Sequence, residues 1–279
     1  MELKTLPKVP LSMGAISDKE LDRLSRTSTV RLPTPPVKGC DTCKGKKTFQ
    51  SWDKEGKDVV QYRCDCEGQY LLSLELLRRG IDHEYQRLDW YDVVAVPGGA
   101  LDTVSDYISN AERYVDRGLG LTLYGDPGTG KSLVLHLLAK ALVCKGVDVY
   151  AIQHNHMLEL YKDGWRDPDE KAHFKKCAFR SKVLVWDDFD VPRPGHDHDM
   201  VDQVLRTRAA NGLVTLISTN LSMEAMEPGN PNLALDRRVR SLLTKINDPV
   251  EFRGEDFRPQ QRERVRKEAL MDIRRPVVA

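Results

Sequence analysis

Four short apolar runs recur along the second half of the chain: GLTLYG (120–125), VDVYAI (147–152), KVLVWDD (182–188) and LVTLIST (213–219). Each is about one strand long and apolar on both faces, as a strand covered by helices on either side must be. Between them the apolar residues fall at helical spacing, as in SLVLHLLAKALVC after the first run. This alternation predicts a parallel sheet flanked by helices, an α/β domain over residues 85–260. Upstream, GQYLLSLELLRRG reads as an amphipathic helix closed by Gly80, and another helix is expected over roughly 101–116. SDKELDRLSR, capped by Ser17, is a short helix candidate, and RLPTPPVKG after it is a proline-rich linker that resists helix.

The 279 residues leave room for one large domain and a small one. Residues 1–39 form the N-terminal helix and linker, 40–68 a cysteine module, 69–84 a helical linker, and 261–279 a charged C-terminal tail. A net charge of +1 with 30% charged residues excludes a global electrostatic signature for nucleic acid, so such a contact needs a local basic surface. No apolar run approaches a membrane span, and the N-terminus lacks the apolar core of a signal peptide. The expectation is a cytoplasmic protein with no membrane partner.

GDPGTGKS, followed by Leu133, matches the phosphate-loop pattern in full between a strand and a helix. Its residues Gly125, Asp126, Pro127, Gly128, Thr129, Gly130, Lys131, Ser132 and Leu133 are the nucleotide-binding candidates. Glycines allow successive N–H groups to face phosphate oxygens, and the helix N-terminus adds a favourable dipole. Lys131 reaches the β- and γ-phosphates of ATP, and Ser132 ligates Mg²⁺. Phosphate cleavage also needs an acid for the metal and a group to orient water. KVLVWDDFD ends an apolar strand with both: Asp187 for Mg²⁺ and Asp188 for the attacking water, while Asp190 reads as a loop residue. The next strand ends in Thr219 and Asn220, where Asn220 either contacts the γ-phosphate or its water, or forms a turn. LDRRVRSLL puts Arg237, Arg238 and Arg240 on a helix, as candidates for an arginine finger or as an exposed basic face.

Cys40-x₂-Cys43 and Cys64-x-Cys66 flank KTFQSW, the turn DKEG and VVQYRC, a hairpin pattern that brings both pairs to one end. This builds a zinc-ribbon-like Zn²⁺ site of four thiolates, holding a segment too small to fold by its own core. An iron–sulfur cluster is the alternative, and disulfides would need an oxidising compartment. Cys144 and Cys177 lie in helical patterns as buried structural residues, and His196 and His198 of PRPGHDHD read as a solvated loop. The module binds a protein, or contacts DNA through Lys44, Lys46 and Lys47 with Phe49 or Trp52.

GDPGTGKS, VLVWDDFD, VTLISTN, RRVRS and VEFRGEDFR, with the lead-in RRGIDHEYQRLDW, follow the order and approximate spacing of a known family. Residues 78–260 resemble the DnaC/DnaI-type replicative helicase loaders, an AAA+ clade shared with helper ATPases of insertion-sequence transposition. The resemblance implies an AAA+ P-loop fold and a homo-oligomeric ATPase on single-stranded DNA. Its partner would be a replicative DNA helicase, gripped by an N-terminal zinc module. Lys131, Ser132, Asp187, Asp188 and Asn220 carry over directly. The family shows an arginine where this chain has Leu242, so the finger is Arg237, Arg238 or Arg240. The short segment after Arg258 leaves little or no C-terminal lid. Other readings are a transposition helper on duplex DNA, an ATP-gated adaptor, and a small-molecule kinase.

Overall fold

The computed structural model describes residues 40, 42–46, 48–52, 59–93, 98–164, 166–190, 196–221 and 237–271. The helix and linker expected over 1–39 and the last eight residues lie outside them. The chain divides into two compact units at Leu88–Asp89.

In the first unit, β1 (Thr48–Trp52) and β2 (Val59–Arg63) form an antiparallel hairpin pairing Thr48 with Arg63 and Trp52 with Val59. Helix α1 (Asp65–Arg78) begins directly after Cys64, several residues earlier than its apolar pattern indicates, and buries Leu72, Leu74, Leu76 and Leu77. It ends in a left-handed turn at Gly80 (φ 75°), where Gly80 N–H donates to Leu77 O and Ile81 N–H to Leu76 O. A short helix α2 (His83–Gln86) then brings Gln86 under α1, with Ser73 Oγ donating to Gln86 Oε1 at 2.6 Å.

The second unit opens with a 3₁₀ turn at Trp90–Asp92. The helix expected over 101–116 is two: α3 (Gly98–Ser109) and α4 (Ala111–Asp116), with Asn110 between them. There follow β3 (Gly120–Gly125), α5 (Lys131–Cys144), β4 (Val149–Gln153), α6 (His154–Asp163), α7 (Pro168–Arg180) and β5 (Val183–Phe189). The unit closes with α8 (His196–Ala210), β6 (Val214–Thr219), α9 (Arg237–Ile246), β7 (Asn247–Phe252) and α10 (Arg258–Leu270). The strands form one parallel sheet in the order β4-β5-β6-β3-β7. Strand β7 is absent from the apolar runs: NDPVEF is short, acidic and interrupted by proline, and its pairing with β3 makes it a strand. His196 and His198 lie in the first turn of α8, not in a loop, and the charged stretch from Gln261 to Leu270 is helical.

On one sheet face α6, α7, α8 and α9 pack Met157, Phe174, Val204 and Leu243 against Trp186 and Ile217. Helix α5 packs on β3, β4, β5 and β6, and its Val134, Leu135, Leu138 and Leu142 are buried. At the strand starts, Arg208 of α8 is fully buried and donates to Ala178 O, Lys182 O, Val214 O, Ser181 Oγ and Thr215 Oγ1. Burial pushes its guanidinium down to about 9, so it remains charged at neutral pH. The opposite, carboxyl edge of the sheet carries the polar strand ends.

Candidate nucleotide site and four-cysteine cluster

The turn from β3 into α5 needs three left-handed residues, and glycines supply them: Gly125 (φ 130°), Gly128 (φ 79°) and Gly130 (φ 91°). Thr129 Oγ1 donates to Asp126 O at 2.8 Å and closes the loop on itself. The Lys131 ammonium donates to Gly125 O at 2.9 Å and Asp126 O at 2.6 Å, so it is held across the mouth of the loop. Burial lowers it below the usual lysine range, with Asp188 and Asp126 pulling the other way. A cation among backbone N–H groups at a helix N-terminus is an arrangement for phosphate.

Strand β5 is in register with β6 as far as Trp186, then bulges and resumes at Phe189 opposite Thr219. The bulge contains both acids, and Asp188 sits in the left-handed region (φ 50°). Asp187 is turned inward and 1% exposed, while Asp188 is turned out to solvent. Ser218 Oγ donates to Asp187 Oδ1 and accepts the Asp188 N–H at 3.0 Å, so one β6 hydroxyl supports both acids. His136 Nε2, one turn along α5 from Ser132, donates to Asp187 Oδ2 at 3.3 Å. Burial pushes the Asp187 carboxyl up, but hydrogen bonds from His136, Ser218 and Ser132 outweigh it and hold the group below the ordinary carboxylate range. Asp188 goes the other way, raised by desolvation and the Asp187 charge against Lys131 and Arg258.

An anionic carboxylate hydrogen-bonded to the phosphate-loop serine fits a hard divalent cation. Ser132 and Asp187 are the residues to hold Mg²⁺, which when bound neutralises phosphate charge. Asn220 is exposed just beyond β6, beside the end of β3, whose Tyr124 pairs with Thr219. The side chains of Arg237 and Arg238 lie outside the described residues. Arg240 is half-exposed on α9 and, with Ser241, Thr244 and Lys245, lines a surface cavity of about 410 Å³.

Two contributors are not evident from sequence, and a third, within the VEFRGEDFR motif, is evident as a motif but not as a neighbour of the phosphate loop. His136 and Ser218 brace Asp187; the only traces of this are the i, i+4 spacing from Ser132 and the polar end of β6. The third is the segment after β7. Phe257 N–H donates to Gly128 O at 3.1 Å, and a Cβ on Gly128 would clash with the Asp256 carboxylate. Asp256 accepts the Arg258 N–H at 2.9 Å, and the Arg258 charge is felt at both Lys131 and Asp188. The GEDFR stretch therefore packs directly on the phosphate loop.

In the first unit the sulfurs of Cys40, Cys43, Cys64 and Cys66 lie within 4.8 Å of one another. The Cys40–Cys64 and Cys43–Cys66 separations are 3.6 and 3.5 Å, well beyond the ~2.05 Å of a disulfide and near the ~3.8 Å edge of a ZnS₄ tetrahedron. Lys44 N–H donates to Cys40 O at 2.7 Å, and left-handed turns at Lys44 and Gly45 fold Cys40–Cys43 into a tight knuckle. Backbone N–H groups of Cys43 and Thr42 pull the Cys40 thiol down to about 6, whereas burial and the neighbouring sulfurs push Cys66 up. The four sulfurs cannot all ionise without a cation among them, so this donor set fits Zn²⁺.

A family model described as RNA helicase matches residues 121–219, from β3 to the end of β6. An ATP-binding protein in an insertion sequence of Mycobacterium tuberculosis is 24% identical over 153 residues, which span 54% of this chain and 61% of that protein. DnaI matches with TM-score 0.50 and 21% identity, covering 63% of this chain and 93% of the other. The DnaC helicase loader matches with TM-score 0.48 and 24% identity, covering 56% and 89%. The larger unit shares the fold of DnaI, a parallel sheet flanked by helices with a phosphate loop after β3, and a four-cysteine cluster precedes it.

Proposed function

We propose that this protein hydrolyses ATP to ADP and phosphate in order to load a replicative DNA helicase onto single-stranded DNA. One observation carries the chemistry: Ser132, Asp187, His136 and Ser218 form a closed hydrogen-bonded set behind Lys131, and Asp188 projects outward from the bulge beside it. Asp187 stays ionised for Mg²⁺, while the raised carboxyl of Asp188 is a base for the attacking water. Asn220 orients that water or the γ-phosphate. Arg238 or Arg240 of a neighbouring copy supplies positive charge in a homo-oligomer.

The helicase reading rests on the order of the motifs and on the likeness in fold to DnaI. In this reading the zinc module (residues 40–68) grips the helicase, residues 69–84 link it to the ATPase at 85–260, and the protein works in the cytoplasm. The insertion-sequence relative favours a second reading, in which the same ATPase assembles on duplex DNA and recruits a transposase.

ATP turnover measured without DNA, with single-stranded DNA and with duplex separates the two. Lys131→Ala is the blank and is expected to lower turnover at least ~100-fold. Stimulation by single strands alone supports helicase loading, duplex preference supports the transposition helper, and turnover unchanged in Lys131→Ala rejects the site.

A further inference from the structure

Thr219 ends β6 with a fully buried side chain that carries a hydroxyl, and no step of the proposed chemistry uses it. Its place in the sheet is a junction. On one side it pairs with Tyr124 of β3, the residue before Gly125 opens the phosphate loop. On the other it pairs with Phe189 of β5, where regular pairing resumes after the bulge that carries Asp187 and Asp188. Asn220 follows it directly in the chain.

The hydroxyl both donates and accepts. Thr219 Oγ1 donates to Phe189 O at 2.7 Å and accepts the Leu221 N–H at 3.1 Å. The first bond closes the bulge at its far end, one residue beyond Asp188. The second spans Asn220 and holds it in a turn of the kind a threonine makes with the N–H two positions on. Phe189 is itself a fixed point, its ring edge-on to Trp186 at 5.2 Å and to His154 at 5.4 Å. A regular strand would bring residue 188 to the side of Trp186. Phe189 takes that place in the core instead, and Asp188 is the extra residue, left-handed and turned out to solvent.

From this junction we infer that Thr219 is a positioning residue for hydrolysis: its hydroxyl fixes the Asp188 bulge and the Asn220 turn to each other, so that both address one water. The inference rests on the proposed function and says how its two water-directing residues are kept in step. Ser218 braces the same bulge through the Asp187 carboxylate and the Asp188 N–H, whereas Thr219 bonds neither acid and acts through backbone alone. Valine in its place keeps the branched shape but leaves Phe189 O and the Leu221 N–H without this partner. Asn220 is then released from Asp188, while the phosphate loop that binds ATP is untouched. A misplaced water-directing group costs rate rather than ground-state affinity, so the effect falls on kcat and not on KM.

The test is steady-state ATP turnover by the full chain, expressed per binding site counted with a fluorescent ATP analogue, so that unfolded protein is not read as lost rate. Thr219→Val is expected to lower kcat about tenfold or more and leave the KM for ATP within about twofold of wild type. Thr219→Ser, which keeps the hydroxyl, should recover kcat to within about threefold. In an Asn220→Ala background the valine should cost less than about threefold, because residues that act as a unit do not add. Thr219→Ala takes the same part if the valine variant does not fold. Wild-type kcat in Thr219→Val, a serine variant as slow as the valine, or a raised KM at unchanged kcat overturns the positioning role and leaves the proposed function standing. The full loss repeated in Asn220→Ala, or wild-type turnover in Asn220→Ala alone, overturns the coupling of the two residues. Turnover unchanged in Lys131→Ala overturns the proposed function and this inference with it.

Discussion

Asp187 and Asp188 are chemically identical neighbours, and a single bulge gives them opposite environments. Asp187 is lowered, so the stability it contributes is present above its unfolded pKa and lost as pH falls through the folded one. Asp188 is raised, so its contribution is present below its unfolded pKa and lost as pH rises through the folded value. With Asp188 as the proposed base, turnover needs it ionised, and the acid limb should lie at higher pH than an ordinary aspartate would set. Asp188→Asn keeps a residue that tolerates the left-handed backbone, so ATP binding should persist. Turnover should fall about 10²–10⁴-fold and the limb disappear, which a pH–rate profile beside a nucleotide titration checks. Gly128→Ala puts a methyl group into the Asp256 carboxylate at a positive φ, and about 1–3 kcal/mol of stability should be lost together with nucleotide affinity. Adding Asp256→Ala should restore part of both, read by thermal melting and fluorescent-nucleotide binding. The phosphate loop and the two acids are legible as residues because the chemistry fixes their spacing along the chain. Their supports are not: Ser218 reaches Asp187 from another strand, and Asp256 reaches Gly128 from the far end of the domain rather than by any local pattern.

Among elements, the apolar runs mark β3, β5 and β6 inside the sheet, where burial on both faces leaves no room for polar residues, and also β4 at one edge. Strand β7 escapes because an edge position lets it keep Asp248, Pro249 and Glu251, and only its partner β3 defines it. Helix α1 starts within the cysteine cluster, with Cys64 as its N-cap and Cys66 in its first turn, a start that the apolar pattern from Gly68 onward does not mark. Arg208 is a comparable case, an arginine whose place in VLRTRAANG resembles any exposed helix end. It joins α8 to the end of α7 and to the starts of β5 and β6. Arg208→Met removes all five acceptors' donor at once and should cost about 3–5 kcal/mol in a denaturant titration. The proposed nucleotide site lies at the opposite edge of the sheet, so the KM for ATP of the folded variant should stay unchanged.

At the scale of the whole molecule the chain is two folding problems with different solutions. The larger unit has a core of fully buried aliphatic and aromatic side chains, from Leu123 and Val134 to Trp186 and Phe252. The smaller one relies on a short hairpin, the leucines of α1 and four sulfurs. Chelation, or Cys64→Ser, should therefore release one zinc per chain and unfold the first unit in a separate, lower transition. ATP binding by the second unit should survive, and calorimetry with a metal assay checks both. The edge strand β7 bears on how such a chain behaves at high concentration. Among the described strands it pairs on one side only, yet Pro249 withholds an amide there, and Asp248 and Glu251 place charge beside it. A second sheet cannot add itself to that border in register. Growth of the sheet by a strand from another copy is thereby discouraged at this border.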